Sequence, residues 1–418
     1  MAATSTSATA AAAAAAAAAH PEGEGVLLAV GNPLLDVVAS VDADFLRLYK
    51  LTPGNSVLQT EDQAGIYERL AEFDPTYQPG GSALNTARTY QAMVGRPNSA
   101  TYLGAVGVDE AGELLEELAT KEGVDMRLQK VAGTLTGKCA VLVHNKERAL
   151  CTVLGASSEL SFTDDIKDLV DNAQFCYMTA YVIESSKESG PAFFSHSYSL
   201  DDAFPPCVLA VKVVFYFARR CAEASKLVAL NLSSSFTVST HKQTLVTLLP
   251  EINILFGNNE EYTELLTGLR LVEPYDDTVS DKDEYEQGVC KLALALMMSR
   301  GPSSAATTAG SAATSRKAVK AAVMTRQDRP IYIAEASTDE AVLLHKISVA
   351  PVPQDEIVDL NGAGDAFVGG FFAGLQKGDS LSKSALLGSL AAGQIIRCEG
   401  FCIDTTSLRG IMSDKVFS

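Results

Sequence analysis

"DLNGAGDAFVGGF", residues 359–371, crowds glycines against an aspartate directly before a long apolar run. Glycine in or beside a helix costs up to about 1 kcal/mol relative to alanine, so Gly362 and Gly364 need a backbone reason. Glycines at the start of a helix let backbone N–H groups approach a ligand, and the helix dipole adds positive potential there. We therefore predict that a helix begins here and that its first residues bind negative charge.

Asp365 directly follows the second glycine, where a carboxylate would repel a bound phosphate. Such a carboxylate is useful if it acts as a base on an attacking hydroxyl. Alternatively, Asn361 and Asp365 only cap the helix. The motif alone does not choose between the two interpretations.

The composition is that of a large, acidic, globular chain. Its 418 residues, 47% of them hydrophobic, suffice for one large α/β domain or two smaller ones. The formal net charge of −18 disfavours sequence-independent binding to nucleic acid or to an anionic membrane, which requires a basic surface. The cysteines form no CxxC pair and the histidines no HxxxH or HExxH pattern. No zinc site or disulfide framework is indicated, and a reducing compartment fits best.

Short apolar runs alternate with segments of helical periodicity. The run VLLAVGN at 26–32 has the composition of a buried strand, and similar runs lie at 175–183, 227–232, 252–256 and 321–325. Apolar residues recur at helical spacing in 110–122, 238–249 and 283–299. This alternation predicts an α/β fold with a mostly parallel central sheet flanked by helices.

Strand-rich stretches at 36–42, 55–60 and 138–155 interrupt the alternation. The last of them has the pattern of a hairpin that turns at Asn145-Lys146-Glu147. We expect these pieces to form a small sheet apart from the main one.

Three segments differ in composition from the rest of the chain. Residues 1–25 contain an alanine tract and no Lys or Arg, so we interpret them as a low-complexity, disordered tail. Residues 299–319 have the composition of a loop, and the apolar run within 194–217 is too short to span a membrane. We interpret both as insertions into one domain at 26–418.

The stretch QPGGSALNTA, residues 78–87, carries a second glycine pair. Ser82 and Asn85 follow it one helical turn apart and therefore lie on one face of a helix. A Pro-Gly-Gly turn before a helix explains this stretch equally well when it is considered alone.

The stretch VGNPLLDVVA, residues 30–39, places Asn32 and Asp36 just past the end of a predicted strand. Carboxylate and amide groups in such positions often bind polyhydroxyl ligands. By itself the stretch is no more than a turn.

Together and in this order, the motifs resemble those of the ribokinase-like, or PfkB-type, carbohydrate and nucleoside kinases. The match runs from Val26 to about Phe401 apart from the two insertions, and within the family it is closest to the adenosine kinases of the apicomplexan type. It is carried by GNPLLD at 31–36, PGGSALN at 79–85, ERALCTVLGA at 147–156, NLS at 231–233, ILFGNNEE at 254–261 and DLNGAGDAFVGGF at 359–371.

The resemblance implies a large α/β domain and a small β-sheet lid, made from about 36–44, 54–62 and 136–156, that closes over a nucleoside. It implies phosphorylation of the adenosine 5′-hydroxyl by ATP with Mg²⁺, which gives AMP and ADP in purine salvage. It also implies a cytoplasmic monomer, with a nuclear pool, that binds neither nucleic acid nor membrane.

The resemblance also implies roles for individual residues at the reacting end of the site. Asp365 is expected to act as the general base, and Arg148 to meet the transferred phosphate as the lid closes. The anion hole is assigned to the N–H groups of Gly362, Ala363 and Gly364.

The remaining implied roles concern the two substrates and the metal. The lid hinge is assigned to Gly80-Gly81. Mg²⁺ is expected to be organised through water by Asn258 and Glu261. The ribose pocket is assigned to Asn32, Asp36, Gly81, Ser82 and Asn85, and the nucleotide side to Asn258, Glu261, Thr325 and Asn361.

Three positions depart from the family pattern. Leu360 stands where the family usually has threonine, and Gln327 stands where it usually has glycine. Around 177–185, the aromatic residues that pack on the base in many relatives are reduced to Tyr181 and Val182. Base selectivity is therefore a weaker expectation than reaction type.

Two alternatives to an adenosine kinase stay open. The altered 177–185 region favours a kinase for another nucleoside or for a sugar on the same fold. A non-catalytic nucleoside-binding relative would explain Leu360, Gln327 and the 194–217 insertion, although the intact Asp365 speaks against it.

Overall fold

The computed structural model describes residues 26–145, 147–161, 165–184, 217–221, 224, 226–278, 281–299, 319–336 and 341–413. The predicted tail at 1–25, and nearly all of the predicted insertions at 194–217 and 299–319, lie outside these residues. Among the described residues, no helix has the length and apolar character needed to cross a bilayer.

The strands in the described part of the chain are β1 Leu27–Val30, β2 Leu34–Ser40, β3 Ser56–Leu58, β4 Thr76–Gly80, β5 Ala100–Gly107, β6 Asp125–Val131, β7 Lys138–His144, β8 Glu147–Val153, β9 Phe175–Thr179, β10 Leu227–Asn231, β11 Ile254–Asn258, β12 Ala321–Thr325, β13 Ile331–Ala336 and β14 Val342–Ile347. The helices are α1 Ala43–Leu48, α2 Ile66–Leu70, α3 Ser82–Val94, α4 Glu110–Lys121, α5 Asp165–Asn172, α6 Tyr181–Glu184, α7 Ser235–Leu248, α8 Asn259–Gly268, α9 Lys282–Met298, α10 Ala363–Lys377, α11 Leu381–Ile395 and α12 Thr405–Ile411.

The main sheet has nine strands in the order β14-β13-β12-β11-β10-β9-β1-β5-β6. The pairs β12–β13 and β13–β14 are antiparallel, and the other neighbours are parallel. From β1 the chain builds outward through β5 and β6, and later in the opposite direction through β9 to β12. The strand order therefore reverses between β1 and β9, which is where open parallel sheets bind ligands.

Helices cover both faces of the main sheet. Leu28 and Val30 of β1 belong to one apolar cluster, while Leu27 and Ala29 belong to the other. Successive strand side chains point to opposite faces, so a strand buried on both faces is a continuous apolar run. This confirms the predicted α/β fold with a mostly parallel sheet.

The second sheet has five strands in the order β3-β8-β7-β2-β4. β7 and β8 form the predicted hairpin, and Asn145 at its turn has a positive φ of 51°. Residues 31–33 lead from β1 into β2, and Gly81 leads from β4 into α3. These two links lie side by side, since a Cβ on Gly81 would be 2.2 Å from Asn32 O. The chain also passes between the sheets from β6 to β7 and from β8 to β9. Movement of the small sheet as a lid stays a prediction.

Most of the other helices and strands predicted from the sequence are present in the structure. The predicted helices at 110–122, 238–249 and 283–299 correspond to α4, α7 and α9. The strand prediction for 175–183 was wrong beyond Thr179, since β9 ends there and α6 begins at Tyr181. A short apolar run does not distinguish a strand from a buried helical turn.

Candidate active site

A cavity of about 830 Å³ opens at the carboxyl ends of the central parallel strands. The last residues of four neighbouring strands line it: Thr179 of β9, Asn231 of β10, Asn258 of β11 and Thr325 of β12. Each is polar and follows an apolar strand, so the sheet edge presents a row of hydrogen-bonding groups to the cavity.

Most of the site residues predicted from sequence meet at this cavity. The exceptions are Gly80 and Arg148, which lie outside its lining. The predicted residues that line it are Asn32, Asp36, Gly81, Ser82, Asn85, Asn258, Glu261, Thr325, Asn361, Gly362, Ala363, Gly364 and Asp365.

Asp365 lies in the first turn of α10, against the first turn of α3. Its Oδ1 accepts a hydrogen bond of 2.6 Å from the Ser82 hydroxyl, and its Oδ2 one of 3.1 Å from the Asn85 amide. Burial raises the pKa of Asp365 to about 6, although both hydrogen bonds lower it. The carboxylate is therefore ionised at neutral pH and more basic than an exposed aspartate.

Backbone donors at the start of α10 face the same cavity. In the described residues, the N–H groups of Gly362 and Gly364 donate no hydrogen bond, and that of Ala363 makes only a long one of 3.4 Å to Leu360 O. A Cβ placed on Gly364 would find no atom within 4 Å, so it would project into open space. These free donors at a positive helix end suit an anionic ligand that approaches the backbone closely.

Gly362 is required by the fold as well as by the cavity. Its φ is +74°, and a Cβ there would lie 2.3 Å from the Phe401 ring. A larger residue would therefore be strained and would also displace the Phe401 ring, which packs against the start of α10.

Asp36 and Asn32 lie where β1 passes into β2, on the side of the cavity formed by the small sheet. A Cβ on Gly80 would lie 2.1 Å from Oδ1 of Asp36, so glycine is needed for this close approach. Burial raises the pKa of Asp36 to about 7, and the charges of Arg88 and Arg148 oppose that rise. Asp36 therefore titrates near neutral pH.

Arg148 projects from the β7–β8 hairpin toward the loop before α10. Its Nη1 lies 3.1 Å from Oδ2 of Asp359, and the two side chains are only 10% and 8% exposed. Its Nη2 is buried without a hydrogen-bond partner in the described residues. The ion pair therefore holds the hairpin against the loop that precedes α10.

Asn258 and Glu261 form a capping box at the start of α8. The Asn258 N–H donates to Oε2 of Glu261 at 2.9 Å, and the Glu261 N–H donates back to Oδ1 of Asn258 at 2.8 Å. Burial raises the pKa of Glu261 to about 7. In the described part of the chain Glu261 has no ion pair with a lysine or arginine.

These groups fit Mg²⁺ held through water. Their oxygens are the hard ligands that Mg²⁺ prefers, but they already accept hydrogen bonds from the chain. The described residues contain no group of three or more His, Cys, Asp or Glu that could hold a metal ion alone. Mg²⁺ usually keeps several waters and binds through one or two carboxylates and substrate phosphates, so the donor set is compatible.

The residues that depart from the family pattern lie in different parts of the structure. Leu360 lines the cavity and is 67% exposed. Gln327 has a positive φ of 58°, so it adopts the conformation that the usual glycine would favour. Tyr181 lines the cavity and its hydroxyl donates to Ser233 O at 3.1 Å, whereas Val182 packs in the core.

Sequence reasoning missed several parts of the site. Asp359 was not identified as the partner of Arg148. Phe236 lines the cavity at the start of α7 although it is 65% exposed, and Ser233 and Ser234 lie beside it. Their position directly after β10 was the available signal, because ligands bind at the carboxyl ends of parallel strands.

Comparisons with known proteins agree with this geometry. The family model described as "pfkB family carbohydrate kinase" matches residues 60–407. Adenosine kinase 1 of Arabidopsis thaliana is 29% identical over 382 residues, which cover 90% of this chain and 95% of that protein. Adenosine kinase of Dictyostelium discoideum is 27% identical over 378 residues, with the same coverage.

Solved structures are similar over nearly the whole chain. Anopheles gambiae adenosine kinase in complex with P1,P4-di(adenosine-5) tetraphosphate has a TM-score of 0.71 at 28% identity and covers 91% of this chain and 97% of its own. Schistosoma mansoni adenosine kinase in complex with 2-fluoroadenosine has a TM-score of 0.72 at 26% identity, with 92% and 98% covered. The chain belongs to the pfkB family of carbohydrate kinases and is a phosphotransferase with an alcohol acceptor.

Proposed function

We propose that the protein is an adenosine kinase, which transfers the γ-phosphoryl group of ATP to the 5′-hydroxyl of adenosine and releases AMP and ADP. The observation that carries the proposal is the pairing of Asp365 with free N–H groups at the start of α10, at the floor of one cavity. The similarity to adenosine kinases across about nine-tenths of the chain supports the choice of nucleoside.

Asp365 acts as the general base. As the 5′-oxygen attacks the γ-phosphorus, its proton moves to a carboxylate oxygen of Asp365, and the bond from the γ-phosphorus to the bridging oxygen of ADP breaks. A base with a pKa near the working pH is the most efficient, and burial brings Asp365 to about 6. The Ser82 and Asn85 hydrogen bonds hold the carboxylate in place for this transfer.

The start of α10 stabilises the charge that develops on the transferred group. The N–H groups of Gly362, Ala363 and Gly364 form the anion hole. Arg148 lies outside the cavity lining in this structure and brings its Nη2 to the phosphate as the lid closes. Thr325 and Asn361 contact the nucleotide from the adjoining cavity wall. Asn258 and Glu261 would hold Mg²⁺ through water, and the bound ion would neutralise phosphate charge.

Asp36 binds the ribose hydroxyls together with Asn32. We expect Asp36→Asn to raise KM for adenosine by roughly ten- to a hundredfold with kcat changed less than threefold, because a charged hydrogen-bond acceptor is lost. Steady-state kinetics with saturating ATP measure both constants. A fall in kcat at unchanged KM would place Asp36 in the chemical step instead.

The pH dependence of turnover is expected to reflect the raised pKa values of Asp365 and Asp36. Asp365 must be ionised to accept a proton, so kcat should fall as the pH drops through about 6. The rate constant kcat/KM for adenosine should begin to fall higher, near pH 7, because Asp36 also becomes protonated in the free enzyme. Rate profiles from pH 5 to 9 check this, and a flat profile would contradict it.

The identity of the acceptor is tested by a substrate panel at fixed MgATP. Adenosine, inosine, guanosine, cytidine, ribose and fructose are compared by kcat/KM, since specificity is a ratio of these values. We expect adenosine to exceed every other acceptor by at least about tenfold. A better nucleoside or sugar would replace adenosine as the substrate, and binding of adenosine without ADP release would indicate a non-catalytic relative.

A further inference from the structure

Arg88 of α3 is a buried cation behind the cavity floor, with its side chain 2% exposed. Its five N–H donors match five acceptors. Nε and Nη2 donate to the Glu122 carboxylate at 2.5 and 2.8 Å, and Nη2 also donates to Phe401 O at 3.1 Å. Nη1 donates to Pro79 O at 2.6 Å and to Oδ1 of Asn85 at 3.0 Å.

The contact with Asn85 dictates which way the amide group faces. Arg88 can only donate hydrogen bonds, and the ionised Asp365 can only accept them. The Asn85 oxygen must therefore face Arg88, which leaves its NH₂ group to donate to Oδ2 of Asp365 at 3.1 Å. Exchanging the two amide atoms would oppose donor to donor and acceptor to acceptor.

The contact with Phe401 brings Arg88 close to Gly362, the residue that precedes α10. The guanidinium lies 5.1 Å from the centre of the Phe401 ring, and that ring fills the space where a Gly362 Cβ would stand. Arg88 therefore contacts two residues: Asn85, which orients Asp365, and Phe401, which packs behind Gly362.

We propose that Arg88 is a positioning residue for phosphoryl transfer: its guanidinium fixes the Asn85 amide, and through it the carboxylate of Asp365. The inference rests on the proposed role of Asp365 but not on adenosine as the acceptor. Lysine cannot replace arginine here, because its three N–H donors all sit on one nitrogen. They cannot reach the five acceptors, which lie on Glu122, Pro79, Asn85 and Phe401.

The test uses the full chain with both charges removed together, as Arg88→Met with Glu122→Gln, so that the partly buried Glu122 carboxylate is not left without its partner. With the best acceptor of the panel, we expect kcat to fall about tenfold while KM for ATP changes less than twofold. In an Asn85→Ala background the same pair of substitutions should lower kcat less than twofold, because the amide that transmits the effect is absent.

A stability control separates positioning from general damage. Leu115→Ala removes a fully buried apolar side chain of α4 and should lower the unfolding midpoint without lowering kcat. An unchanged kcat in the Arg88 variant, or a full tenfold loss in the Asn85→Ala background, would overturn the proposal.

A second variant gives a readout that needs no activity. If the double variant does not fold, Arg88→Lys is taken through the same kinetic cycle and crystallised. We expect the Asn85 amide to leave hydrogen-bonding distance of Asp365, and an amide that stays in place would overturn the proposal. If the wild type itself phosphorylated no acceptor, the kinase proposal would fail, whereas the crystal structure would still decide whether Arg88 orients Asn85.

Discussion

Replacing Asp365 by asparagine is expected to lower kcat by roughly a hundredfold or more, with KM for ATP and for the acceptor changed less than about threefold. The substitution keeps the size of the side chain but removes its ability to accept the hydroxyl proton. The fold should not suffer, because burial disfavours the ionised carboxylate and an amide does not carry that penalty. Single-turnover formation of ADP, together with the unfolding midpoint, measures both effects.

The matched control is Asp379→Asn, just past the opposite end of the same helix. Asp379 is also nearly buried, with its side chain 11% exposed, and it pairs with Lys383 at 2.8 Å. Its replacement should reduce stability and leave kcat unchanged. An Asp365→Asn enzyme with near wild-type kcat would exclude Asp365 as the base.

Replacing Gly364 by alanine is expected to lower kcat by roughly a hundredfold, the size of effect seen when one donor of an oxyanion hole is lost. The added Cβ meets no atom of the chain, but it occupies space that a transferred phosphoryl group needs in order to reach the backbone N–H groups. Alanine also has the higher helix propensity, so the unfolding midpoint should stay the same or rise.

Gly288→Ala in α9 is the control for this substitution. Gly288 is also a helical glycine with open space where its Cβ would lie, but it does not line the cavity. We expect it to gain stability with no loss of activity. A Gly364→Ala enzyme that is equally active would show that phosphate does not approach the start of α10 closely.

The motif around Asp365 was recognisable in the sequence because the residues of its proposed function are neighbours in the chain. Glycines, a helix start and a carboxylate within a few positions have few joint explanations. The support for Asp365 was not predictable in the same way. Arg88 belongs to no motif, and its link to Phe401 joins parts of the chain that only the fold brings together.

The structural misses also have physical reasons. β4 contains Pro79, which argues against a strand, but β4 is an edge strand of the small sheet, where proline is tolerated. The family resemblance assigned Asn85 to the ribose pocket, and that role stays a prediction. The structure shows that its amide NH₂ group donates to Asp365 of α10 and that its oxygen accepts from Arg88 of the same helix. A pattern within α3 does not reveal the partner on α10.

The central claim is that this cavity brings a nucleoside 5′-hydroxyl next to the γ-phosphoryl group of ATP and catalyses transfer of that group. The most direct measurement incubates the purified protein with MgATP and adenosine and quantifies AMP and ADP by chromatography, with 5′-deoxyadenosine as the matched substrate that lacks the acceptor oxygen. We predict AMP and ADP in equal amounts from adenosine and neither above background from 5′-deoxyadenosine. A folded protein that releases ADP without AMP, or forms no product from adenosine, would contradict the claim.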